Sequence, residues 1–389
     1  MMQRRDFVKM LAAAPLAAMA ANARAAAPGN RLLVLVYLHG GNDGFNTWVP
    51  YEDPLYYKLR PTIAVPRDSV LKITERHGFH PSLAPLMPIW EKRELALVQG
   101  IGLPGVTQQH FRDSEMAFTA CDEGEYPIRG WAAGAIARLP KADDALADAV
   151  AFDVLDIRVS DPMGPFRGSA RPVVKMQYAD EWLEKRRVAG CVVDMNAAAQ
   201  ARTARNESVV GRIALKTAFP ADPFGNAMRA VVEIAALDRA IPVFHVALNG
   251  LDGDKHHSVD CHWKQLDYHS DALVRLARGL AALRAGMIEI GRWDETLVAT
   301  YDEFGRSPVE NEDKGTHHGA ATTHFVLGGR VKGGLVGEAP RIIKVFNVGG
   351  PQATLDTRRL WTTIVENWWQ TSAEGLFTRK HAPLDIVRA

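Results

Sequence analysis

The sequence predicts an α/β fold with a mainly parallel central sheet and helices on both faces. Three observations carry that reading. Continuous apolar, β-rich runs stand at 31–38 (RLLVLVYL), 94–102 (ELALVQGIG), 243–248 and 296–301, and such runs read as strands buried on both faces. Stretches of helical apolar spacing separate them, which is the alternation of βαβ units. Acidic and histidine residues gather just beyond the ends of these runs, where an open α/β sheet builds its ligand site.

The elements follow in chain order. RLLVLVYL leads into the turn Gly40-Gly41-Asn42-Asp43-Gly44, helical spacing covers 81–93, and the second buried strand comes next. Helices are expected at 108–120 and 130–139. The span 140–225 is less regular, with short strands in AFDVLDI and PVVKMQ and two charged helical stretches, and is expected to be an insertion or cap. An amphipathic helix at 226–240 feeds the strand 243–248. Over 263–290, Leu266, Leu273, Leu276, Leu280 and Leu283 fall on one helical face. Strands at 296–301, 323–327 and 341–346 follow, and TRRLWTTIVENWW (357–369) closes the chain as a helix with aromatic packing.

Residues 1–27 read as a twin-arginine export signal and 28–389 as the folded domain. Arg4 and Arg5 stand with Phe7 and Lys9, an Ala-rich stretch follows, and small-residue cleavage sites occur at Ala21-Asn22-Ala23, Ala23-Arg24-Ala25 and Ala25-Ala26-Ala27. The apolar run falls short of the roughly 20 residues a bilayer span needs. The expectation is a periplasmic or secreted protein, handled by the twin-arginine machinery, with no stable membrane span. Removing residues 1–25 takes away Arg4, Arg5, Lys9 and Arg24 with Asp6, and moves the formal charge from +1 to about −2. That balance supplies no electrostatic reason for a nucleic-acid or anionic-membrane partner. Cys121, Cys191 and Cys261 are too few and too scattered for a disulfide framework or a zinc knuckle, and isolated thiols are expected.

Four segments carry the residue types that hold divalent ions through mixed oxygen and nitrogen coordination. Asp43 ends the first strand in a Gly-rich loop, although the same residues make a good turn. Asp252 and His256 are four apart, a spacing that puts both on one face of a helical turn; His257 competes for the role. His262 and His269 nearby read as solvent-facing loop residues. Asp302 and Glu303 end another strand, and two adjacent carboxylates there need a cation or Arg306 to neutralise them. Arg306 could instead clamp an anionic oxygen. His317 and His318 lie between small residues, where side chains can approach an ion. Lys332 sits in a Gly-rich turn and reads as an exposed loop charge.

The chain resembles the twin-arginine-exported proteins of the domain-of-unknown-function 1501 family, related to the alkaline phosphatase and sulfatase superfamily. The resemblance rests on GGNDGFNTWVPY (40–51), HPSLAPLMPIW (80–90), His110-Phe111, EFGR (303–306), GTHHG (315–319), LGGRVKGG (327–334) and LDTRRLWTTIVENWW (355–369). It implies an alkaline-phosphatase-like fold and a two-metal centre, with a hydroxyl or modified Cys nucleophile opening the helix after the second strand. Carried over by position, Asp252, His256 and His318 hold one ion. Asp43 and the Asp302–Glu303 pair hold the other, with His317 a further candidate. Gln109 stands where the family often has Ser, which leaves Thr107 as the nearest hydroxyl, with Ser114 a turn beyond His110. Two ions about 3.5–4 Å apart stabilise the attacking and leaving oxygens of a phosphoryl or sulfuryl displacement. The implied activity is hydrolysis of small anionic phosphate or sulfate esters, dependent on Zn, Mg, Mn or Ca. The alternative is a non-catalytic exported protein of the same fold that binds a metal or ligand.

Overall fold

A computed structural model describes residues 30–141, 147–152, 163–176, 179, 183, 191–193, 213–237, 240–249, 258–342 and 350–388. Its strands are β1 (Leu32–Leu38), β2 (Trp48–Val49), β3 (Leu71–Lys72), β4 (Gly78–Phe79), β5 (Leu95–Gly102), β6 (Ala149–Phe152), β7 (Val173–Met176), β8 (Cys191–Val193), β9 (Val243–Leu248), β10 (Thr296–Tyr301), β11 (Gly305–Glu310), β12 (Thr316–Gly319), β13 (Thr322–Gly328), β14 (Gly334–Gly337) and β15 (Leu355–Asp356). The helices that matter most below are α1 (His110–Thr119), α2 (Trp131–Ile136), α3 (Pro223–Leu237), α4 (Gln265–Glu289) and α5 (Arg358–Thr362).

The central sheet runs in the order β14-β5-β13-β10-β1-β9-β6-β7-β8, with β15 also on β5. Strand β1 lies at its middle, parallel to β10 on one side and β9 on the other, in register from Leu33↔Leu297 and Leu33↔Val243. Strands β6 and β7 continue in parallel beyond β9, and β14 and β15 run parallel to β5. Within this sheet, among the described residues, only the pairings of β13 with β10 and β5, and of β7 with β8, are antiparallel. The sheet is therefore mainly parallel, as the alternating pattern implies.

Strand β1 shows why its sequence is apolar without interruption. Leu32, Val34, Val36 and Leu38 join one core layer, while Leu33, Leu35 and Tyr37 join the other. Successive side chains point to opposite faces, so a strand covered on both sides must be apolar at every position. The first layer packs on α3 and α4 through Phe224, Met228, Val231, Leu273, Leu276, Leu280 and Leu283. The second packs on α1, α2 and α5, where the rings of Trp131 and Trp361 stack with centroids 4.4 Å apart.

Several expectations need correction in detail. Leu266, placed on the core face of α4, is exposed, whereas Leu273, Leu276, Leu280 and Leu283 are buried. Within the span 140–225, the described residues include β6, β7 and β8 of the central sheet. The closing helix 357–369 turns from α to π geometry after Thr362. Most of the strand expected at 341–346 lies outside the described residues. No described helix is long and apolar enough to cross a membrane.

Strand direction sets the position of the site. Because β13 is antiparallel to both β10 and β5, strands β1, β5, β9 and β10 all point the same way. Their carboxyl ends open on one edge of the sheet, and the loops after them carry His39 to Asp43, Thr107 to His110, Asp260 to His262, and Asp302 to Arg306.

Candidate metal centre

His110, Asp260, His262 and His318 converge at that edge, each partly buried, with one ligand atom from each lying within 4.8 Å of all the others. His110 opens α1, Asp260 and His262 precede α4, and His318 sits on β12. The Nε2 atoms of His262 and His318 are 2.9 Å apart. Asp260 Oδ1 is 3.1 Å from His262 Nε2, and Asp260 Oδ2 is 3.6 Å from His110 Nε2. Bonds of about 2.0–2.1 Å in a tetrahedron separate ligand atoms by roughly 3.4 Å, and the three separations bracket that figure. Three imidazoles and one carboxylate are a fitting donor set for a zinc-like ion.

Acceptors outside the cluster orient two of the rings. His318 Nδ1 lies 2.7 Å from the Gln108 carbonyl, and His110 Nδ1 lies 2.9 Å from Glu303 Oε1. Gln108 adopts φ 62°, an uncommon conformation for a side chain of its size. Burial, with Arg306 close by, pushes the His318 imidazole down to about 3, so the ring is neutral at physiological pH, and neutral imidazole is the ligating form. Burial alone would raise the Asp260 carboxyl, but His262 and the Arg306 guanidinium outweigh it and hold Asp260 ionised, well below the usual carboxylate range.

Arg306 is fully buried beside this cluster and pairs with Asp260. Its Nε donates to the Gly41 carbonyl at 2.9 Å, Nη1 to Thr316 O at 3.1 Å, and Nη2 to the Gly40 carbonyl. The turn that presents those carbonyls requires glycine. Gly40 and Gly41 have φ 107° and 83°, and a Cβ would lie 2.3 Å from Asp260 Cβ at Gly40 and 2.5 Å from the Phe304 ring at Gly41. Gly315 is needed for close approach, since a Cβ there would sit 2.2 Å from the His262 backbone.

The structure separates the sequence-derived candidates. His318 enters the cluster. His317, next along β12, stays outside it: it is half-buried, with Nε2 3.8 Å from Glu312 and its ring centroid 6.4 Å from that of His262, as alternate strand residues point to opposite sides. Asp43 is corrected from a metal ligand to a structural carboxylate. Arg60 Nη1 lies 2.6 Å from its Oδ2 and Nη2 3.1 Å from its Oδ1, Gln265 donates to Oδ2, and the Phe45 and Asn46 amides donate to Oδ1. It caps the short helix Gly44–Thr47 with both oxygens fully engaged.

Asp302 is buried beneath the site, accepting from Asn42 N and Thr322 Oγ1, each at 3.1 Å. Burial first, and the neighbouring Glu303 second, push its carboxyl well above the usual range. Glu303 reaches the cluster only through His110. The Thr107 hydroxyl donates to Asp113 Oδ1 at 2.9 Å, inside a knot in which Asp113 also accepts the backbone amides of Thr107, Gln108 and Gln109. Ser114 is buried against Tyr37. Lys332 is a surface charge paired with Asp385. Asp252 and His256, with His257, lie outside the described residues. The thiols of Cys121 and Cys261 are buried and free.

His262 and His269 correct the solvent-facing expectation. His262 is in the cluster, and His269 is buried with Nε2 3.0 Å from Asn42 Oδ1. Asp260 was not legible as a candidate. The usable clue was the Asp-x-His spacing of Asp260 and His262, which on extended backbone places both side chains on one side.

Residues 185–354 match a family model described as a protein of unknown function, DUF1501. No curated protein matches the chain. Among solved structures, the chain is similar to the lipoteichoic acid synthase LtaP from Listeria monocytogenes, at 10% identity over 90% of this chain and 74% of that one, with a TM-score of 0.40. It is also similar to the PsFucS1 sulfatase from Pseudoalteromonas sp., at 10% identity over 88% and 68%, TM-score 0.40. A third is the phosphonate monoester hydrolase SpPMH from Silicibacter pomeroyi, at 12% identity over 88% and 74%, TM-score 0.40.

Proposed function

We propose that this chain is an exported, metal-dependent hydrolase of phosphate or sulfate esters. The observation that carries the proposal is the convergence of His110, Asp260, His262 and His318 from separate loops at the carboxyl edge of the sheet. A divalent ion bound there would supply Lewis acidity toward an ester oxygen and lower the pKa of water. The chain's own residues do the rest. His110, His262 and His318 offer ring nitrogens and Asp260 one negative charge. Arg306, with its donors committed to Gly40, Gly41, Thr316 and Asp260, acts on an anionic ester through its fixed charge. That neighbouring guanidinium also disfavours a second dication in the same cluster by like-charge repulsion, so the proposal is one ion bound by these four residues.

The Thr107 hydroxyl donates to Asp113, and this reading takes the attacking oxygen from water. The same observation favours the second reading, an exported protein of this fold that binds a metal or ligand without turning it over.

Metal content and turnover of p-nitrophenyl phosphate and p-nitrophenyl sulfate, measured on full-length protein exported through its own amino terminus, decide between the readings. Bound metal with ester turnover that survives Thr107→Ala and is lost in His318→Ala is the expected result. Metal without turnover leaves the binding protein, and a chain that retains no metal sinks both.

A further inference from the structure

The geometry points to Glu303 as a positioning residue that selects which ring nitrogen His110 presents to the cluster; this rests on the metal reading above. Glu303 follows β10 and is fully buried. Its Oε1 accepts the Gly40 amide at 2.9 Å and lies 2.9 Å from His110 Nδ1. Its Oε2 accepts the Tyr37 hydroxyl at 2.9 Å, and that hydroxyl is 2.9 Å from Ser114 Oγ. Ser114 lies one helical turn after His110 on α1. The carboxylate is thus held from β1, from the glycine turn and from α1, with both its oxygens engaged.

An ionised carboxylate only accepts hydrogen bonds, and a neutral imidazole carries one N–H and one lone pair. Glu303 therefore places the His110 hydrogen on Nδ1 and the lone pair on Nε2, the atom 3.6 Å from Asp260 Oδ2. A carboxylate behind a ligating imidazole fixes ring orientation and raises ligand basicity, and loss of such a partner typically costs about 10–100-fold in metal affinity. The Ser114–Tyr37–Glu303 chain is then a rigid backing for His110, explaining why a hydroxyl and a phenol are buried between α1 and the sheet.

Zn2+ affinity of the full-length, metal-stripped chain, read by competition with a chromophoric chelator, tests this. Glu303→Ala is expected to bind roughly 10–100-fold more weakly, while Glu303→Gln, which still offers His110 an acceptor, recovers most of that loss. Wild-type affinity in Glu303→Ala overturns the positioning role and leaves the metal site standing, whereas absence of Zn2+ binding by the wild type overturns both. Should Glu303→Ala not fold, the tautomer of His110 in the metal-free wild type decides alone, read at mildly alkaline pH by long-range proton–nitrogen spectra of histidine-labelled protein. Hydrogen on Nδ1 supports the assignment and hydrogen on Nε2 overturns it.

Discussion

Asp43→Asn separates a structural carboxylate from a ligating one. Asparagine keeps the acceptor that caps the helix Gly44–Thr47 and is itself a good cap, so the change removes charge and little else from that role. It leaves the fully buried Arg60 guanidinium without its counter-ion. Removing one partner of a buried pair costs about 3–5 kcal/mol. Arg60 keeps Asn46 Oδ1 at 2.6 Å, Ser307 O at 2.7 Å and Pro308 O at 3.0 Å, which puts the expected loss near the lower end, about 3 kcal/mol. With an unfolding entropy of roughly 2 cal/mol/K per residue, that loss lowers the melting temperature by about 4 °C in a chain of this length.

The same ion pair has an acid-side signature. Burial raises the Asp43 carboxyl, but Arg60 and the Asn46 amide outweigh it and leave the folded pKa lowered. Its contribution is therefore fully present above the unfolded carboxylate pKa, near ~3.9, and is lost as pH falls through the lower folded value. The gap in melting temperature between wild type and Asp43→Asn should hold at neutral pH and narrow only in that acid range. Thermal unfolding of both proteins from neutral pH down to about pH 3, paired with Zn2+ titration at neutral pH, reads the two effects separately. A variant that melts like the wild type yet binds Zn2+ at least about tenfold more weakly would refute the structural assignment of Asp43.

Two further outcomes follow from the geometry. His318→Ala should abolish stoichiometric metal binding while His317→Ala leaves it within about twofold, because adjacent residues of β12 face opposite sides; equal losses in a metal titration would contradict the cluster. Asp302→Asn tests the raised carboxyl of Asp302. A raised folded pKa contributes stability that is full below the unfolded value and lost as pH rises through the folded one, so the wild type should lose stability relative to Asp302→Asn as pH climbs from about 4. Parallel melting curves for the two proteins across pH 4–9 would dismiss a raised pKa at Asp302 (about one charge is at stake).

The local pattern in the chain determined the strands and most helices. VFHVAL and TLVATY are strands over the very residues their apolar runs cover, because both runs are buried at every position. It also determined that the chemistry lies in loops after those strands. Which carboxylates and imidazoles meet was decided by tertiary structure. Asp43 is claimed by Arg60, whose guanidinium arrives from a separate helix end, and no spacing in the sequence announces that pairing. Asp260 and His262 gain their meaning from His110 and His318, which are distant in the chain and close only across the sheet edge. Local sequence encodes periodicity and conformational preference, whereas coordination depends on a few tenths of an ångström between atoms brought together by the packed core, and that distance exists only after folding.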